Sequence, residues 1–169
     1  FVLFTHIVAT QALFAQLEIE TTVPTGFDEA INVGVGTGHF ETTITNKGGS
    51  ENITGIKVSP QGGLNGLEIV PTTATYVYRG AVYSAIVTGD LVKTNGSLSL
   101  YAGEQISFNY EKRAKCSIVP NASSGYSMQV IDDITVLGTN YSEQTNSYPV
   151  LFPGLSVIVP ESPLNNKQV

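Results

Sequence analysis

The 169 residues predict an all-β protein, and three observations carry that expectation. Charged residues make up only 13% of the chain while Gly, Thr, Ser, Asn, Val and Tyr are plentiful, a composition that suits short strands and tight turns better than helices. Stretch after stretch alternates apolar with polar residues at period two, as a strand with one buried face must. Turn signals separate these stretches at near-regular intervals, and no segment of ten or more residues has helical spacing. Strands of this kind pack as two sheets, so the expected architecture is an immunoglobulin-like antiparallel β-sandwich. A closed barrel is the alternative, because one hydrophobic parity per strand does not separate the two. At this length, with 41% hydrophobic residues, the chain can bury one sizeable core, and a second complete domain is not expected.

Residues 1–15 read as a secretory signal peptide truncated at its start, an apolar run ending in Phe14-Ala15 before Gln16. A buried first strand or short helix is the other reading, and the run is too short to span a bilayer. The sandwich is then expected over residues 16–154. Its first strand follows from Leu17, Ile19, Thr21 and Val23 alternating with Glu18, Glu20 and Thr22, and Pro24 stops the pairing as at a sheet edge. The glycine-rich residues 27–38 are expected to cross between sheets.

The stretch the chain is organised around follows. Phe40, Thr42 and Ile44 share one face, Glu41, Thr43 and Thr45 the other; Asn46 to Ser50 reverse the chain, and Ile56 and Val58 return to the core as the second arm of a hairpin. A bulge at Gly55 explains why Ile53 is out of phase with Ile56 and Val58. Leu67-Glu68-Ile69-Val70 is a short strand ended by Pro71, and residues 75–78 and 81–88 pair around Arg79-Gly80. After the turn Tyr101-Ala102-Gly103-Glu104, Ile106, Phe108 and Tyr110 face one way and Gln105, Ser107, Asn109 and Glu111 the other, the cleanest alternation in the chain and so a central strand. Tyr126, Met128, Val130, Ile134 and Val136 share one parity in a strand interrupted near Asp132-Asp133, and residues 147–153 form an edge strand. Leu155 to Pro160 repeats the form of Leu17 to Pro24, an alternating strand closed by proline, so residues 155–169 are either a terminal strand or the start of a following repeat.

Phe40 to Asn46 with Gly49 and Ile53-Thr54-Gly55-Ile56-Lys57-Val58, and later Ala102-Gly103-Glu104-Gln105-Ile106-Ser107-Phe108-Asn109-Tyr110, resemble the DUF11-like conserved-repeat domains of large exported surface proteins of the Bacteroidetes, adhesins and gliding-motility proteins among them. The resemblance covers residues 17–159 and rests on strand patterns. It implies immunoglobulin-like modules strung in tandem on the cell surface, with neighbouring domains of the same chain as partners and no catalytic residues to carry over. The long segment 26–38 and Lys47-Gly48-Gly49 in place of a shorter turn depart from the common form.

The residues themselves offer little chemistry. The net charge of −6 would repel phosphate backbones and anionic lipid, which counts against nucleic-acid and membrane-surface binding. After the apolar leader there is one His, His39, and one Cys, Cys116, too few for a histidine or cysteine metal cage, and a Cys116–His39 dyad would need the two adjacent in the fold and a third, orienting group. Cys116 reads as a small buried hydrophobe, and no disulfide can form within the chain. Lys112, Arg113 and Lys115 read as a solvated strand end rather than an acidic-glycan site. Asp132 and Asp133, helped by Asp90 or Glu143, are the calcium candidates, with a plain surface carboxylate pair as the alternative and no cofactor otherwise expected. Matches to the glycosylation sequon at Asn52, Asn95, Asn121 and Asn140 follow from a composition rich in Asn, Ser and Thr.

Two functions are therefore expected to compete. One is a non-catalytic structural or adhesive module of a larger bacterial surface protein, secreted or held at the cell surface. The other is a module binding carbohydrate or another surface polymer through Tyr76, Tyr78, Tyr83 and Tyr101, for which two exposed, coplanar rings would be the sign.

Overall fold

A computed structural model describes residues 17–25, 29–34, 36–61, 66–115 and 127–152. The expected signal peptide at 1–15, Cys116, Tyr126 and the final segment 155–169 lie outside the described residues. The fold is the expected all-β, immunoglobulin-like sandwich, built from β1 (Leu17–Thr22), β2 (Ile31–Asn32), β3 (Thr37–Asn46), β4 (Ser50–Pro60), β5 (Leu67–Ile69), β6 (Thr75–Tyr78), β7 (Ala81–Ser84), β8 (Ile86–Thr88), β9 (Leu91–Tyr101), β10 (Gln105–Ala114), β11 (Ser127–Val130), β12 (Asp132–Leu137), β13 (Ser142–Gln144) and β14 (Tyr148–Leu151).

The first sheet runs β1-β3-β10-β6-β7, with β5 also paired to β10; the second runs β13-β12-β4-β9-β8. A third, small sheet runs β11-β14-β2. β10 lies between β3 on one side and β5 and β6 on the other, the central position that its alternation predicts. Phe40, Ile44, Ile106, Phe108 and Tyr110 of the first sheet and Ile53, Ile56, Val58, Val92, Ile134 and Val136 of the second belong to one continuous buried core. Among the described residues β1 is an edge, pairing β3 alone.

Several connections differ from expectation. β3 and β4 are not a hairpin: β3 pairs with β1 and β10, whereas β4 pairs with β12 and β9 across the sandwich. Asn46 makes this an arch. Its buried amide donates to the Leu100 carbonyl of β9 at 2.7 Å and accepts from the Gly48 N–H at 3.0 Å, so the end of one sheet is fastened to the other. Gly49, at φ 72°, completes the bend in a region that glycine enters without cost.

Between β1 and β3 the described residues place β2 in the small sheet, and β3 then lies beside β1 in the first sheet, so the two flanking strands are not on opposite sides of the sandwich. Its partner β14 is no edge: it sits between β11 and β2, the β2 pairing being parallel, and Tyr148, Pro149 and Val150 are all buried. The stretch 81–88 divides at Ala85, β7 joining the first sheet and β8 the second. The expected break near Asp132 is a change of sheet at Ile131, and the inward parity continues through it.

The bulge at Gly55 is present, with φ 145° and a register shift between Ile53 and Gly55. A Cβ there would come within 2.4 Å of the Val92 carbonyl oxygen, so this strand crossing demands glycine. The opposing strand, β9, has no counterpart in the alternation pattern, because Asn95-Gly96 sit in its middle and Gly96 adopts φ 99°. Ile53 pairs Leu98 and Gly55 pairs Lys93, so the residues between bow out of the ladder.

Phe108 is fully buried, and Phe108→Ala should cost about 3–5 kcal/mol. Ser107, on the opposite face, is not idle: its hydroxyl lies 2.8 Å from that of Thr43. Ser107→Ala should therefore cost about 0.5–1.5 kcal/mol rather than nothing. Urea unfolding of both variants measures the difference, and a near-neutral Phe108→Ala would mean the core face is misassigned.

Candidate functional site

The inward parity of β10 continues past Tyr110 to Lys112, which is only 1% exposed. That position sets a charged amine inside the sandwich. Opposite it, β12 opens with Asp132, fully buried, and its two carboxylate oxygens each accept a hydrogen bond from the Lys112 Nζ at 2.7 Å. Tyr148 of β14 closes the group, with its hydroxyl 2.8 Å from Nζ and 3.1 Å from both oxygens of Asp132. One residue from each of the three sheets meets here. The Asp132 backbone is held as well: its N–H donates to the Thr145 hydroxyl at 3.0 Å, and its carbonyl accepts from the Thr145 N–H at 2.9 Å.

Aromatic rings wall the cluster. The Lys112 Nζ lies 5.4 Å from the centroid of Phe40 and 5.2 Å from that of Tyr148, within cation–π range. Phe40 stacks on Tyr110 at 5.5 Å and meets Tyr148 edge-on at 4.9 Å, while the Tyr110 hydroxyl lies 3.2 Å from that of Thr42. Among the described residues every buried side-chain nitrogen and oxygen has a hydrogen-bond partner. Burial pulls the Lys112 ammonium below its usual range, and the Asp132 charge and hydrogen bond oppose that shift. Burial also pushes the Tyr110 and Tyr148 hydroxyls well above theirs, helped at Tyr148 by the Asp132 charge.

This arrangement corrects two expectations. Lys112 is not part of a solvated strand end; only Arg113 and Lys115, of opposite parity, are exposed, and both pair with Glu68. Asp132 and Asp133 do not act as a pair, since adjacent strand residues face opposite ways. Asp132 turns inward to Lys112, and Asp133, half-buried on the other face, accepts a hydrogen bond from the Gln61 amide at 2.9 Å. Asp90 lies at the β8–β9 turn beside Lys57, and Glu143 on β13. Among the described residues no three His, Cys, Asp or Glu side chains converge as a metal site would require. His39 is exposed on β3.

The four candidate tyrosines gather at the opposite rim. Tyr76 is buried and carries Tyr83 stacked on it at 5.1 Å and 17°, with Tyr83 45% exposed. Together with Tyr78, Ser84, Asn95 and Leu98 they line an open groove of about 440 Å³. Tyr78 donates to the Ser99 carbonyl at 2.7 Å, tying β6 to β9. Tyr101 is half-exposed and is separated from the groove by Arg79, whose guanidinium lies 4.9 Å from the Tyr78 ring and 5.8 Å from that of Tyr101 while binding Glu104 at 2.9 and 3.2 Å. Arg79 itself holds φ 49° in the two-residue β6–β7 turn. Two of the rings are close to parallel, but one lies beneath the other, and they do not form a side-by-side platform.

No model of a known protein family matches the chain, and no curated protein does. The chain has similarity to several solved structures. A variant of BcpA, the major pilin subunit of Bacillus cereus, is 12% identical with a TM-score of 0.49 over 80% of this chain and 40% of its own. A family 123 glycoside hydrolase from Clostridium perfringens is 11% identical with a TM-score of 0.45 over 82% of this chain and 27% of its own. The CooA pilin subunit of enterotoxigenic Escherichia coli is 10% identical with a TM-score of 0.31 over 80% and 99%. The chain thus spans well under half of the first two.

Because Tyr110 and Tyr148 have raised folded-state values, the native protein keeps protons that the unfolded chain gives up above about pH 10, and their contribution to stability is lost as pH rises beyond that point. Tyrosinate absorbance should therefore show at least these two of the eight tyrosines silent until the protein unfolds at alkaline pH. All eight titrating together in native protein near about pH 10 would contradict the sealed cluster.

Proposed function

We propose that the chain is a non-catalytic β-sandwich module of a larger bacterial cell-surface protein, with a structural or adhesive role beside neighbouring domains of the same chain. The observation that carries this reading is the Lys112–Asp132–Tyr148 cluster. Lys112, Asp132 and Tyr148, ionisable groups able to do acid–base work, line none of the grooves described among these residues and bond instead to one another across three sheets. A buried charge pair costs desolvation, and here that cost is offset by hydrogen bonds that fix the sheets in one register. The arch at Asn46 and the Tyr78–Ser99 bond serve the same end at other points of the sandwich.

A second reading, a binding module for carbohydrate or another surface polymer, has its own support in the Tyr76–Tyr78–Tyr83 groove, where an exposed ring lies near Ser84 and Asn95. A sugar face would stack on Tyr83 and bond to those polar neighbours.

Glycan-array binding separates the two. The structural reading predicts no saturable binding by the wild-type protein; saturable binding that disappears in Tyr83→Ala would overturn it in favour of the groove. Protease shaving of intact cells that produce the parent protein tests the location: peptides of this chain should be released without lysis, and release only after lysis would contradict a surface role.

A further inference from the structure

A buried lysine and a buried aspartate in direct contact are chemically more than an ion pair. We propose that Lys112 and Asp132 are the two halves of an intramolecular amide crosslink, formed autocatalytically inside the folded sandwich with Tyr148 as the hydrogen-bond donor to the reacting carboxyl group. The Nζ of Lys112 stands 2.7 Å from both carboxylate oxygens, in a pocket where neither side chain is more than 2% exposed. The two partners belong to β10 and β12, in opposite sheets, so the bond would staple the sandwich across its core.

The step balances without any outside reagent. Within the short hydrogen bond a proton passes from the ammonium to a carboxylate oxygen, leaving a neutral amine beside a neutral carboxylic acid; desolvation of Lys112 favours this transfer. The carboxyl group turns about its Cβ–Cγ bond, a broad torsion, to present its face to Nζ. The nitrogen lone pair attacks Cγ, the N–C bond forms, and the carbonyl oxygen becomes an oxyanion. The Tyr148 hydroxyl, 3.1 Å from either oxygen, donates to it. A proton then moves from nitrogen to the acid hydroxyl, the C–O bond breaks, and one water leaves. An ammonium and a carboxylate have become a secondary amide and water, with no change of oxidation state.

Two physical factors favour the product. The reactants are held in contact, so the entropy of bringing them together has already been lost on folding. The ion pair also carries a desolvation penalty on both charges, which a neutral amide relieves. Phe40 and the ring of Tyr148 flank Nζ and keep bulk water from the pocket, which removes the reactant of the reverse hydrolysis.

Intact mass spectrometry of the purified full chain under denaturing conditions tests the proposal. The wild-type mass should fall below the sequence mass by one water, and a tryptic digest should contain the β10 and β12 peptides joined through Lys112 and Asp132 with no cleavage after Lys112. Lys112→Met and Asp132→Ala should each return to full sequence mass, and Tyr148→Phe should slow the loss of water during refolding at least about tenfold. Because those variants disturb a buried cluster, the decisive reading is on the wild type, for which folding is checked by near-UV circular dichroism. Folded wild-type protein that keeps its sequence mass on prolonged incubation, with Lys112 open to acetylation once denatured, overturns the proposal. A lost water that maps to other residues overturns it equally.

Discussion

The pairing of Lys112 with Asp132 is the constraint on which the sandwich depends. Any chain that buries an ammonium must hold its counter-charge in reach, since an unpaired charge in the core costs several kcal/mol. Satisfying Lys112 fixes the position of β12 against β10, and Tyr148 brings β14 to the same point. A one-residue slip of β10 would turn Lys112 to solvent and strand Asp132 inside, so the pair also acts against wrong registers. The aromatic walls of Phe40, Tyr110 and Tyr148 fill the space around the charges, and the hydrophobic core is continuous past them.

The rest of the architecture answers the question of how a chain of short strands moves between two sheets. At Asn46 a buried side-chain amide takes the place of ladder partners and lets β3 hand over to β4. Near by, the Gly103 N–H donates to the Asn46 carbonyl at 2.7 Å and the Asn46 N–H to the Glu104 carbonyl at 3.0 Å, so the β9–β10 crossing is fastened to the same residue. Gly55 then allows β4 and the bowed β9 to touch backbone to backbone. On the far rim β7 and β8 are one chain segment shared between the sheets, and Val82 and Ile86 are exposed there.

Strand parity made much of this legible in advance. The alternation of Phe40, Thr42 and Ile44 and of Ile106, Phe108 and Tyr110 identified the inward faces, because a period of two leaves no other choice once one face is buried. The bulge at Gly55 was legible for the same reason, as a break in phase. Which sheet a strand joins was not: a tight turn reads the same whether it closes a hairpin or an arch, and the side-chain bond of Asn46 to Leu100 spans 54 positions. β9 was hidden by its own bulge, and β14 by a proline that usually marks an edge. The site was the least legible part. Lys112 and Asp132 both sit at inward parity, so the signal was present, but charged residues are almost always exposed, and that prior outweighed the pattern. The tyrosines were found as a group; that Tyr83 lies over Tyr76 rather than beside it depends on packing that no spacing encodes.

The most direct test of this account is a double-mutant cycle on Lys112→Met and Asp132→Leu, read by equilibrium denaturation. If the pair holds the sheets together, each single change leaves a buried group without its partner and costs about 3–5 kcal/mol. The double variant, with both sites apolar, should recover much of that loss, giving a coupling of about 2 kcal/mol or more. Losses that simply add would contradict the account, for they would mean that the two residues stand side by side in the core without depending on each other.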